Sequence, residues 1–108
     1  RPFIVFHDAY QYFERAYGLT SKGAILLDPG RAPSAARIRE LRKHFEQHEV
    51  VCVFREPQFS DRLIKTVIEG TEIRQETLDP IGVGFKPGGE LYFQLLGSLA
   101  ESVRKCLQ

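Results

Sequence analysis

Three residues able to do chemistry stand at the ends of strand-like stretches, two of them apolar runs. Phe3-Ile4-Val5-Phe6 closes on His7, Val50-Val51-Cys52-Val53-Phe54 closes on Arg55-Glu56, and the stretch Glu72 to Leu78 leads into Asp79. Imidazole nitrogen and carboxylate oxygen both suit zinc, whereas manganese prefers more oxygen. Three protein ligands or fewer do not close a structural zinc site, so any metal site built here is a half-site. The plainer alternative is a strand-end histidine satisfied by its neighbours and an aspartate that caps a turn.

Other chemistries find less support. His44 and His48 lie four apart on one helical stretch, a spacing that can chelate zinc, but no third ligand is near them in sequence. In the last turn of a helix they also complement its dipole, and a surface pair is the reading adopted. Gly82-x-Gly84 followed by Gly88-Gly89 suggests a phosphate loop, yet Pro87 stands where the dinucleotide fingerprint needs glycine. There is no Gly-x-Ser-x-Gly elbow to give the His7-Asp8 pair a nucleophile. Neither cysteine sits at a strand end beside a histidine. The chain does not read as an enzyme.

The elements that must position these residues are legible from periodicity. Phe3 to Phe6 is a buried strand, and a helix opens at Asp8 with Tyr10, Phe13 and Tyr17 on its apolar side. Gly18 stops it. Ala24-Ile25-Leu26-Leu27 is a second short strand, closed by the Asp28-Pro29-Gly30 turn. Ser34 caps the clearest helix, with Ala35, Ile38, Leu41 and Phe45 in one stripe and a mixed-charge solvated face opposite. Val50 to Phe54 is the third strand, and Ser60 caps a helix that ends at Gly70. Glu72 to Leu78 reads as an edge strand, because its residues alternate around Ile73. After a glycine-proline loop, a last helix runs from about Glu90 to Leu107, with Tyr92, Leu95, Leu96, Leu99, Val103 and Cys106 on one side.

Strand followed by helix, four times over, predicts an α/β domain spanning residues 1–108. It has a four-stranded parallel sheet, helices on both faces and right-handed crossovers. Ligands in such sheets bind beyond the carboxyl ends of the strands. That edge gathers His7, Glu56, Asp79 and the Asp28 turn.

Composition narrows the partners. Fifteen Lys and Arg against fourteen Asp and Glu leave a formal charge of +1, so no field is built for nucleic acid or anionic lipid. The apolar runs are too short for direct membrane insertion. A chain that begins at Arg1 inside a strand reads as a fragment of something longer. Cys52 on an interior strand and Cys106 on the core side of the last helix could meet as a disulfide or remain two buried thiols; layout leaves both open.

A family resemblance runs through the same residues. Phe6-His7-Asp8-Ala9-Tyr10-Gln11-Tyr12-Phe13, Gly18-Leu19, Cys52 through Phe59 and Thr77-Leu78-Asp79-Pro80 closely resemble the carboxyl-terminal lobe of the ZnuA-type zinc-uptake binding proteins of bacterial ABC transporters. The resemblance implies a periplasmic solute-binding protein of two α/β lobes. Zinc would sit between them and pass to a membrane permease. It makes His7 this lobe's zinc ligand, with the other main ligands on an amino-terminal lobe absent from this chain. Asp79 is a second candidate, matching an aspartate that completes the site in some relatives and is replaced by water or an amino-lobe carboxylate in others. Glu56 also matches a family residue, and the role read for it is to support the site or the structure rather than to ligate. The resemblance also implies a Cys52–Cys106 disulfide, consistent with an oxidising periplasm. Two alternatives stand beside it: a manganese receptor or adhesin within the same family, and a stand-alone α/β interaction domain without metal. Histidine rather than glutamate at position 7 favours zinc.

Overall fold

The computed structural model describes residues 1–28 and 30–108. Its elements in chain order are β1 (Phe3–Ile4), α1 (Gln11–Ala16), α2 (Ala35–Gln47), β2 (Cys52–Arg55), α3 (Arg62–Ile68), β3 (Arg74–Thr77) and α4 (Leu91–Leu107). The strands form a parallel sheet in the order β1-β2-β3. Phe3 and Ile4 pair with Cys52 and Val53, and β2 pairs along its whole length with β3. β3 lies at one edge, as its polar sequence predicts.

Alternation along the strands divides the core into two layers. Ile4, Phe6 and Val53 face α2 and α3, meeting Leu41, Phe45, Ile64 and Val67. Phe3, Val5, Cys52 and Phe54 face the other way, onto Tyr10, Leu99, Val103 and Cys106. The apolar strands are thus buried on both faces, as parallel strands require. Helices on both faces follow.

The sheet has three strands among the described residues, not four. Ala24 makes a single parallel bridge with Val5 and extends no ladder. The segment does run along β1: Lys22 donates to the Phe3 carbonyl, Ile25 to Val5 and Leu26 to Phe6. The register slips by one residue across Gly23, whose φ of +132° suits glycine. Beyond the bridge, the next in-register acceptor is the His7 carbonyl, and it takes the Ala9 N–H instead. Pro29, within the anticipated turn, lies outside the described residues. Asp28 accepts from the Gly30 N–H at 2.9 Å.

Two helix starts also differ from expectation. Asp8 does not cap α1: its carboxylate accepts from the Gln11 side chain at 2.7 Å, and the helix begins after Tyr10 with no side-chain cap. α3 begins one residue later than expected, with Asp61 at its cap position and Ser60 accepting from Arg62 N–H at 3.3 Å. Ser34 caps α2 as predicted, accepting from Arg37 N–H at 3.1 Å. At the end of α1, Leu19 N–H reaches back to the Glu14 carbonyl, and Gly18 supplies the left-handed residue between them at φ +64°.

α4 is buried at Leu99, Val103 and Cys106, but Tyr92 is exposed, against the predicted stripe. The first turns of this helix pack on the preceding loop rather than on the sheet. A Cβ at Gly82 would stand 3.0 Å from Leu91 Cδ1 and 3.6 Å from Leu95 Cδ1, so the loop lies close against them. No described helix is long and apolar enough to cross a membrane.

Candidate metal site

The parallel sheet carries all three sequence-predicted site residues to one edge. His7 follows the Val5 bridge beside β1, Glu56 comes directly after β2, and Asp79 is two residues past β3. Each strand delivers its polar residue at the point where pairing stops. The apolar layers beneath hold the strand ends in place.

His7 and Glu56 are in contact. Nδ1 of the imidazole stands 2.7 Å from Glu56 Oε2, with side chains 24% and 2% exposed respectively. The oxygen lies off the line of a well-formed hydrogen bond, and neither atom has another partner, although both are buried. Phe59 packs edge-on against the His7 ring at a centroid distance of 5.8 Å and also stacks on Phe6 at 4.8 Å. The ring is therefore bounded by a carboxylate and by an aromatic side chain.

Tyr10 completes the buried side of the site. Burial, and then the neighbouring Glu56 and Asp79 carboxylates, raise its phenol well above the ordinary range, so it stays a neutral hydroxyl. Its oxygen is 3.5 Å from the Leu78 carbonyl and lies beside Glu56. Burial pushes the Glu56 carboxyl above its ordinary value, while His7 and then Tyr10 pull it back. An acidic group this deep is tolerated only where such donors face it.

Asp79 organises the loop that follows β3. Its Oδ1 accepts from the Gln58 side chain and from the N–H groups of Ile81 and Gly82, and Oδ2 accepts from Val83 N–H at 2.7 Å. Burial raises its pKa, but the Gln58 bond and the three backbone donors outweigh that and hold it below the usual carboxylate value. Gln58 thereby ties the loop after β2 to the loop after β3.

No group of three His, Cys, Asp or Glu residues able to hold a metal occurs among the described residues. The edge offers a histidine and a carboxylate, fewer ligands than a closed site needs. His44 and His48 stack at a centroid distance of 4.3 Å, and His44 Nε2 is 2.5 Å from the Lys22 carbonyl. A carbonyl only accepts, so that nitrogen carries a proton and is taken. Tyr10, Gln58 and Phe59 had no site role in the sequence reading. The Glu56-Pro57-Gln58-Phe59 run at a strand end was the signal for two of them.

The sequence and the fold have counterparts in known proteins. Residues 1–106 match the family model described as zinc-uptake complex component A, periplasmic. The chain is 49% identical over 107 residues to the high-affinity zinc uptake system protein ZnuA of Brucella abortus, covering 99% of this chain and 32% of that protein. The Yersinia pestis protein of the same name is 40% identical over 108 residues, covering all of this chain and 34% of its own. A crystal structure of ZnuA superposes with a TM-score of 0.76 at 26% identity, covering 100% of this chain and 39% of that one. The laminin-binding protein Lmb of Streptococcus agalactiae shares the fold, with a TM-score of 0.80 at 21% identity over 99% of this chain and 41% of its own. The chain thus spans about a third of the length of the curated relatives it matches. By sequence along nearly its whole length, and by fold, this chain belongs to the ZnuA family of periplasmic zinc-uptake components.

Proposed function

We propose that this chain is one lobe of a periplasmic solute-binding protein that captures zinc and delivers it to the membrane permease of an ABC transporter. His7 is this lobe's zinc ligand. The observation that carries the reading is the His7–Glu56 contact at the carboxyl edge of the sheet: Nδ1 is covered, and Nε2 is the ring nitrogen left for an ion. Asp79 is the second donor assigned here, through Oδ2, which spends one lone pair on Val83 and keeps another. The remaining ligands belong to the part of the protein beyond this chain, an amino-terminal lobe.

Dividing the ligands between lobes gives a transport protein a means of release. Zinc bonds to nitrogen and oxygen are about 2 Å long, so a small separation of the lobes breaks the coordination. One lobe alone binds zinc weakly, with water filling the open positions. Zinc titrated into the oxidised chain against a chromophoric chelator tests this. Weak binding that His7→Ala abolishes is the expected result. Binding that survives the substitution would place the metal elsewhere, at His44 and His48 first of all.

A further inference from the structure

We infer that Glu56 is a positioning residue that holds His7 in the Nδ1–H tautomer and so presents an unprotonated Nε2 to the metal. The inference rests on the reading of His7 as a ligand and adds to it the side chain that prepares the ligand.

The argument starts from two buried atoms. His7 Nδ1 and Glu56 Oε2 are both shut off from solvent and have no other partner, yet they stand 2.7 Å apart. Buried polar atoms in folded proteins are almost always paired, because leaving one unpaired forfeits its hydration with nothing in return. A hydrogen bond between the two, at this distance, satisfies both atoms together. Phe59, edge-on to the ring, limits how far it can turn.

The direction of the proton follows from the chemistry of the two partners. An ionised carboxylate only accepts, whereas imidazole Nδ1 can donate, so the shared proton resides on Nδ1. An imidazole with hydrogen on Nδ1 carries its free lone pair on Nε2. Nδ1 is covered, so the ring nitrogen left for a metal is Nε2. The second ring nitrogen of a metal-binding histidine is ordinarily engaged by a carboxylate or carbonyl in this way, which fixes the tautomer and raises ligand basicity.

The contrast with His44 makes the assignment specific. There Nε2 faces the Lys22 carbonyl, so the hydrogen is on Nε2 and the nitrogen is closed to metal. Two histidines of one chain are held in opposite tautomers by opposite placements of an acceptor.

Long-range proton–nitrogen NMR of the metal-free chain, at a pH above the imidazole titrations, reads the tautomers directly. His7 is expected as Nδ1–H and His44 as Nε2–H in the unsubstituted chain. Glu56→Ala should move His7 toward the Nε2–H form that free histidine prefers and weaken zinc binding about 10- to 100-fold. An Nε2–H signal for His7 in the unsubstituted chain overturns the inference without any variant, and so holds even if Glu56→Ala does not fold. A folded Glu56→Ala whose His7 stays Nδ1–H also overturns it. If zinc binding instead proves indifferent to His7→Ala while the tautomers are as stated, the ligand reading fails and the positioning of the ring stands.

Discussion

Asp79 shows how one carboxylate can organise a whole loop. Its four hydrogen bonds all favour the charged form, and they keep its pKa below the unfolded value despite burial. A depressed carboxylate contributes stability that is fully present above its unfolded pKa of about 4 and is lost as pH falls through the lower folded value. Asp79→Ala should therefore cost about 1 kcal/mol at neutral pH, the scale of a lost side-chain cap. The gap between variant and unsubstituted chain should narrow on acidification to about pH 3. Asp79→Asn keeps the Oδ1 acceptor for Gln58, Ile81 and Gly82 and should lose less. Thermal unfolding of the three proteins at both pH values decides it, and equal melting temperatures for Asp79→Ala and the unsubstituted chain at neutral pH would sink the account.

The helices and strands differ in how far each could be read from the chain, and the difference is physical. α2 was legible because thirteen residues give several turns of stripe and Ser34 supplies a cap. Ser34→Ala should lower stability by about 1 kcal/mol and the melting temperature by about 5 °C, as seen in a thermal melt; an unchanged melt would mean that Ser34 contributes nothing to the start of α2. α1 has six residues, too few for a period to fix its first turn, so Asp8 passed for a cap when its carboxylate holds Gln11. The second apolar run, Ala24 to Leu27, has the composition of a strand, but register is a property of two chains, and the slip at Gly23 cannot be seen in one. Leu27 is exposed for the same reason. At the site, the strand-end placement of His7, Glu56 and Asp79 was readable from the runs that precede them. Tyr10 was not, because its role depends on Glu56, 46 positions away in sequence. Gln58 carried only the signal of its strand-end run, since its partner Asp79 lies 21 positions on.

At the scale of the molecule, the two core layers are joined through the strands, and one covalent bond crosses between elements. Cys52 on β2 and Cys106 on α4 are disulfide-bonded, with Cα atoms 5.7 Å apart and a sequence separation of 54. Both are buried in the layer that holds Tyr10, so the bond fastens the last helix to the central strand. The first turns of α4 rest on the loop that Asp79 organises, so the bridge, the helix and the site edge form one mechanical unit. Closing a loop of this length stabilises the folded state by about 4 kcal/mol on the chain-entropy model. For a domain of this size, that is a fall of about 15–30 °C in melting temperature when the bond is absent. Refolding after reduction, or replacing both cysteines by alanine, should show that fall. Amide exchange should quicken along Leu99 to Leu107 before it quickens in α2, because α2 packs in the other layer and has no share in the bridge. A drop of only a few degrees, or loss of protection in both helices together, would mean that packing of Leu99 and Val103 holds α4 without the bond.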